Sequence, residues 1–192
     1  MGDIEQAAAR FNAEAARHGW GQFCDPANAF LMPECGEVSA MWTAAAPAGG
    51  LPGRGAMTAR RLKPYLPRLV LVELVQAAPP RLRFRLVGTL VANTLSERTG
   101  TFFDDPGATP QQTARWTQSA LLALGARRPL RFFMRTKNDV TGEMVCLPLC
   151  DEAGQPRFVL TYGCYDPLRD WSAPDAGARL RPIPAESASP AG

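Results

Sequence analysis

The sequence predicts an α+β fold, with a five-stranded antiparallel sheet and helices on one face. Strand-like segments fall in two groups, at 69–87 and 129–164, and the segment between them has helical periodicity. A further amphipathic helix is predicted at the N-terminus. Helices and strands that occur in separate blocks, rather than in strict alternation, indicate α+β and not a parallel α/β sheet.

Composition limits the class of protein. The chain has 192 residues, of which 46% are hydrophobic and 20% charged, which is typical of one globular domain with extensions. The net charge of +3 is weak and its arginines are scattered, so we expect no nucleic-acid partner. No secretory signal and no apolar run of about 18 residues is found, so we expect no membrane partner and a cytoplasmic location.

The first part of the chain is predicted to be a helical extension, residues 1–49. Asp3 to His18 has a narrow apolar stripe, so this helix is expected to lie either on the domain or on a second copy of itself. Residues 20–33 have no regular pattern, and 37–46 predict a second short helix. The stripe consists of Ile4, Ala8, Phe11 and Ala15.

A predicted hairpin and a glycine corner come next. Leu69 to Gln76 is almost continuously apolar and β-branched, which is typical of a strand inside the sheet. Leu82 to Val87 alternates and is expected to pair with it. At Gly88 the period changes to that of a short helix ending near Gly100, and Pro110 to Ala126 predicts a longer helix.

Three strands are predicted to complete the domain, at 129–136, 142–150 and 157–164, with a turn at Lys137-Asn138-Asp139 between the first two. Simple hairpin registers define a core face and a mixed face. The core face would hold Leu130, Phe132, Met134, Val145, Leu147, Leu149, Phe158, Leu160 and Tyr162. The domain is assigned to 50–168, and 169–192, rich in Pro, Ala, Ser and Gly, is predicted to be a disordered tail.

Several stretches between about residues 50 and 166 carry a family resemblance. They are Leu51-Pro52-Gly53-Arg54, Leu62-Lys63-Pro64-Tyr65-Leu66-Pro67 leading into Leu69-Val70-Leu71-Val72, Arg83-Phe84-Arg85-Leu86-Val87-Gly88-Thr89, Leu95 through Thr99-Gly100, and Leu147-Pro148-Leu149 before a turn with Gly154. In order and spacing they resemble a group of short, often stand-alone proteobacterial PAS proteins. The order of a hairpin, a helical crossover, a connecting helix and a three-strand meander also looks like a PAS domain, so the predicted sheet is a PAS-like one.

The resemblance implies a bacterial sensory or scaffolding module with a central cavity, often a homodimer through an N-terminal helix. The cofactor stays unknown. The Asn-Cys-Arg-Phe stretch of the light-sensing flavin relatives is absent, and the helix at 110–126 lacks the histidine of the haem-binding relatives. No kinase, cyclase or DNA-binding segment follows, so a downstream signalling protein is the expected partner.

The candidate ligand-binding residues are Arg85, Thr89, Phe132, Met134, Leu147, Leu160 and Tyr162. Arg85 could point into the cavity and bind a carboxylate or phosphate, or lie on the outer face and pair with an acidic neighbour; strand alternation favours the second. Thr89 could contact the same ligand or cap the helix after Gly88. The aromatic, Met and Leu side chains could line a cavity or simply fill the core.

Catalysis and metal binding are not expected. His18 is the single histidine and lies outside the assigned domain, and no paired carboxylates stand out. Cys146 and Cys150 lie about 13 Å apart along one strand, which is too far to share a metal or a disulfide. The sequence therefore predicts a non-enzymatic sensor that binds a small ligand or partner protein, with a ligand-free scaffold acting through dimerisation as the alternative.

Overall fold

A six-stranded antiparallel sheet organises the structure, a computed structural model that describes residues 2–135 and 140–165. The predicted turn at 137–139 and the predicted tail at 169–192 lie outside the described residues. The helices are α1 (Asp3–Arg17), α2 (Pro33–Ala45), α3 (Ala59–Leu62), α4 (Thr89–Leu95) and α5 (Pro110–Ala126). The strands are β1 (Gln22–Asp25), β2 (Leu69–Val75), β3 (Arg81–Val87), β4 (Leu130–Arg135), β5 (Val140–Cys150) and β6 (Pro156–Tyr165).

The strands lie in the order β1-β4-β5-β6-β2-β3, so the final meander returns to pair with the first strand of the hairpin. The α+β class, the antiparallel sheet and the N-terminal helix are confirmed. The sheet has one strand more than predicted, because β1 pairs with the edge of β4. This strand has only four residues and depends on a tertiary contact: the Asn12 side chain accepts from the Cys24 N–H at 2.7 Å and donates to its carbonyl at 2.9 Å.

Helices cover both faces of the sheet, and not one face as predicted. We call the face that packs against α1, α4 and α5 the cavity face, and the face that packs against α2 the α2 face. Helix α2 contributes a buried stripe at helical spacing, which consists of Cys35, Val38 and Trp42. The Trp42 indole donates to the carbonyl of Pro148 at 2.7 Å. The cavity face includes Val72, Phe84, Phe132, Cys146 and Val159, and the α2 face includes Val145, Leu147, Leu149, Leu160 and Tyr162.

The β4–β5 register corrects the predicted core face. Leu130, Phe132 and Met134 lie opposite even-numbered residues of β5, and therefore on the cavity face, away from Val145, Leu147 and Leu149. The cause is a bulge beside Met134: Arg135 pairs with Val140, but Met134 pairs with Gly142. One extra residue in a strand shifts the register by one and turns the following side chains to the other face.

The shifted register also places two buried charges together on the α2 face. Arg131 and Glu143 are both fully buried, and the Arg131 Nε donates to the Glu143 carboxylate. Arg131 also reaches Asp25 of β1 at 3.0 Å, and Glu143 accepts from the backbone N–H groups of Leu31 and Met32. Because a buried charge needs a partner, this network ties the segment before α2 to the centre of the sheet.

Helix α1 lies on the domain, which was one of the two predicted possibilities. Its Ala8, Phe11 and Ala15 are buried, and the Phe11 ring meets the Phe132 ring at 5.4 Å in an edge-on arrangement. The stripe is therefore used within the chain. Dimerisation through this helix stays a prediction, and it would have to use the remaining, more polar surface of α1.

Gly88 forms the predicted corner between β3 and α4. A Cβ atom at this position would lie 2.5 Å from the Pro67 carbonyl oxygen and closer still to that of Leu66. Since these are backbone atoms, no side chain fits without moving the chain. The close approach sets α4 against the turn at 66–68.

Candidate functional site

A cavity of about 480 Å³ lies between the cavity face of the sheet and helices α4 and α5. The sequence-based hypothesis places a small ligand in this region, between the sheet and the helices from Gly88 to Ala126. Its volume falls within the range of roughly 300–1,000 Å³ that is common for small-molecule sites. Most of its lining is aliphatic or aromatic, and the rest includes polar and cationic side chains.

The apolar part is built around three aromatic rings. Phe84 of β3 lies 4.5 Å from Phe103 and 5.6 Å from Trp116 of α5, measured between ring centroids. Val72 and Val159, on neighbouring strands, complete this wall. Arg98 is buried behind it, with its guanidinium 5.7 Å from the centres of the Phe84 and Trp116 rings, an arrangement that holds the rings in place.

The polar lining side chains come from separate elements, which include β1, α5 and the turn before β2. Ser119 of α5 donates to the Gln22 side chain at 3.0 Å, and the Arg115 guanidinium donates to the Trp20 carbonyl at 3.1 Å. Arg68 directly precedes β2, whose first residue Leu69 pairs with Tyr162 of β6. Among the described residues, the Arg68 side chain forms no salt bridge or hydrogen bond. The cavity is therefore amphipathic, with cationic groups and no acidic residue in the described part of its lining.

Helix α4 covers the cavity, but none of its side chains is buried in the core of the protein. None of its seven residues is buried, although Leu90, Val91 and Leu95 all face the cavity. Leu90 is 49% exposed. An apolar helix normally buries such side chains, so a molecule in the cavity would supply contacts that α4 lacks.

The cysteine that lines the cavity has a thiol of low reactivity. Cys146 lies on β5 with its sulfur 3.5 Å from the Thr161 hydroxyl oxygen. Burial raises the pKa of the Cys146 thiol to about 12, although the contact with Thr161 opposes this. The thiol is protonated at neutral pH and is therefore a poor nucleophile.

Of the seven predicted ligand-binding residues, the structure places Met134 in the cavity wall. Phe132 lies on the same face, but it is fully buried under α1. The β4–β5 bulge explains why Leu147, Leu160 and Tyr162 lie apart from these two. All three belong to the α2 face and pack in its core.

Arg85 and Thr89 also lie outside the cavity lining. The Arg85 guanidinium lies 3.6 Å from the Glu73 carboxylate, on the opposite face of the sheet, so the acidic-neighbour alternative is the one observed. Thr89 is exposed in the first turn of α4, where Gly88 is the N-cap and no side chain caps the helix. The capping alternative for Thr89 is therefore wrong.

Sequence reasoning missed the polar lining. Arg115, Trp116, Ser119 and Ala120 follow the spacing of one helix face, and two polar residues within that stripe were a usable signal. Gln22 gave no such signal, because it joins the cavity only through the pairing of β1 with β4.

His18 lies outside the cavity. It follows the last turn of α1, 3.3 Å from the Glu14 carboxylate, and stacks on Trp20. Within the described residues, no group of three or more His, Cys, Asp or Glu side chains is arranged to hold a metal ion. In the same part of the chain, every helix is too short or too polar to span a bilayer.

Comparison with known proteins gives a distant structural match. No family model matches the chain, and no curated protein matches it. The structure is similar to that of an RNA-binding light-oxygen-voltage receptor, with a TM-score of 0.33 and 13% sequence identity. The match covers 84% of this chain and 52% of the receptor, so the chain spans about half the length of the protein it matches.

Proposed function

We propose that this protein is a PAS-type sensory module that binds a small organic molecule in the cavity and passes the signal to a partner protein. The observation that carries the proposal is the cavity of about 480 Å³ beneath α4, a helix with apolar residues and no buried side chain. A pure scaffold would be expected to fill this space with its own side chains.

The order of the elements supports the family assignment within this proposal. Strands β2 and β3 form the hairpin, α4 the crossover and α5 the connecting helix, and β4, β5 and β6 form the meander that returns beside β2. This is the order that the sequence resemblance to PAS proteins implies. Strand β1 and helix α1 are additions at the edge of that arrangement.

The proposed mechanism is a shift between two positions of α4 and α5. A bound molecule would bury the apolar side chains of α4 and favour the closed position. Helix α5 packs against α1, and its Ser119 holds Gln22 of β1 at 3.0 Å. A movement of α5 would therefore reach the N-terminal helix, whose outer surface is available to a partner.

We also propose that the cavity is a binding site and not a catalytic one. Its described lining has arginines but no histidine or carboxylate, and its cysteine is protonated at neutral pH. General acid–base catalysis needs a group that exchanges a proton near the working pH.

The test is to fill the cavity with a larger side chain from α4. Val91→Phe places a ring in the cavity, whereas Asn93→Phe adds the same ring to an exposed position of the same helix. Native mass spectrometry and thermal shifts with a metabolite library should show binding to the wild type and Asn93→Phe, and a loss of at least about tenfold in affinity for Val91→Phe.

Failure of this test has a clear form. A clean apo mass, with no thermal shift for any compound, would overturn the sensor proposal and favour the ligand-free scaffold. Equal binding by Val91→Phe and wild type would show that the ligand site lies elsewhere.

A further inference from the structure

We propose that the ligand is an organic anion, a carboxylate attached to an aromatic or branched apolar body, with its acid group held at Arg68. This inference rests on the proposed function, because it names the class of ligand for the same cavity. It depends on the charge of the lining and on the position of Arg68 relative to the aromatic rings.

The described lining of the cavity carries positive charge and no negative charge. Arg68 and Arg115 line the cavity, and no Asp or Glu is found among the described lining residues. Arg68 forms no ion pair within the described chain, whereas five other arginines on the strands do, such as Arg81 with Asp104 at 2.7 Å. A guanidinium beside a space of low dielectric attracts an anion, and its planar fork fits a carboxylate.

The lining also has a neutral hydrogen-bonding group near Arg68. Thr161 of β6 pairs with Val70, which comes two residues after Arg68 on the neighbouring strand. Its hydroxyl can orient a carboxylate without competing for its charge. A cationic head would meet Arg68 and would find no carboxylate among the described lining residues, so it is disfavoured.

The aromatic part of the cavity indicates the kind of apolar body that the ligand has. The rings of Phe84, Phe103 and Trp116 lie within 4.5–5.7 Å of one another, and they form an apolar wall with Val72 and Val159. Flat or branched apolar groups gain contact area here, and aromatic ones also gain ring contacts.

Arg68 and the aromatic wall lie at different points along β2. Val72 comes four residues after Arg68, about 13 Å along an extended chain, and it pairs with Phe84 and Val159. A molecule with its acid group at Arg68 therefore extends its body along β2 toward the aromatic wall.

The test uses three probes with one body and three charges: 2-naphthylacetate, 2-(2-naphthyl)ethanol and 2-(2-naphthyl)ethylammonium, titrated calorimetrically into the full chain. We expect the carboxylate to bind about tenfold tighter than the alcohol, and the ammonium to bind most weakly. Arg68→Gln should remove that advantage and leave the alcohol unchanged. Arg60→Gln, an exposed arginine outside the cavity, is the matched control and should behave as wild type.

The outcomes separate this inference from the proposed function. Equal binding of the alcohol and the carboxylate would overturn the anion class and leave the binding cavity supported. A carboxylate preference that survives in Arg68→Gln would overturn the role of Arg68. If no probe binds and the purified protein holds no small molecule, the proposed function fails and this inference fails with it.

Discussion

Gly88 shows how one residue sets the position of α4, the helix that covers the cavity. Its backbone has ordinary negative φ, so the glycine is not needed for a left-handed conformation. It is needed for space, because the carbonyl oxygens of Leu66 and Pro67 lie within 2.5 Å of the place where a Cβ would stand. The start of α4 is thereby fixed against the turn before β2, the same turn that carries Arg68.

Gly88→Ala should lower the free energy of unfolding by about 2 kcal/mol, because the backbone must separate to admit the methyl group. Urea denaturation measures the change. Gly55→Ala is the control, since no atom lies within 4 Å of its added Cβ, and we expect a change of less than about 1 kcal/mol. Equal stability of the two variants would contradict the close approach at the corner.

At the level of elements, Glu73 joins three strands on the α2 face. It lies on β2 and accepts from Arg83 of β3 at 2.8 Å and from Arg157 of β6 at 3.1 Å, with Arg85 at 3.6 Å. Burial pushes the pKa of Glu73 up, but the hydrogen bonds and charges of the arginines outweigh it, and the pKa lies below its ordinary value of 4.5.

This cluster predicts an acid-dependent loss of stability. Because the folded-state pKa is lowered, the stabilisation is fully present above about pH 4.5 and is lost as the pH falls through the lowered pKa. Glu73→Gln should cost about 2 kcal/mol at neutral pH and should flatten the acid dependence, as measured by urea denaturation at a series of pH values from about 3 to about 7. Glu152→Gln, at an exposed turn, should keep the wild-type profile. An unchanged profile in Glu73→Gln would sink the claim.

At the level of the whole molecule, helix α1 packs on its own chain. Its apolar stripe is buried against the chain's own sheet and α5, and Asn12 supports β1 through two hydrogen bonds. The N-terminal segment therefore completes the cavity-side core of this protein. A dimer would have to form through the exposed side of α1 or through another surface.

Phe11→Ala should lower the free energy of unfolding by about 3 kcal/mol, because it removes a ring packed on Phe132 and Trp20. Its sedimentation coefficient should equal that of the wild type, since the stripe is not an interface in this structure. Gln6→Ala, exposed on the same helix, should change neither quantity. If Phe11→Ala converts a dimer to a monomer without lowering the free energy of unfolding, the apolar stripe of α1 is the dimer contact and this prediction is wrong.

The elements themselves were predictable from local pattern. The helix Pro110–Ala126, the hairpin of β2 and β3 and the corner at Gly88 are found where the sequence placed them. Strand alternation also favoured an outward-facing Arg85, because Phe84 and its neighbours claim the apolar side. These features depend on residues near one another in the chain, and periodicity records such short-range relations.

Which side chains meet in the cavity was decided by the tertiary structure. One extra residue at the bulge beside Met134 separates Met134 from Leu147, Leu160 and Tyr162, and no local pattern marks it. Gln22 reaches Ser119 only because a four-residue strand adds to the sheet edge. Register and edge pairing depend on contacts between distant parts of the chain. The local pattern therefore predicted the elements, while the folded chain determined the lining of the cavity between them and its charge.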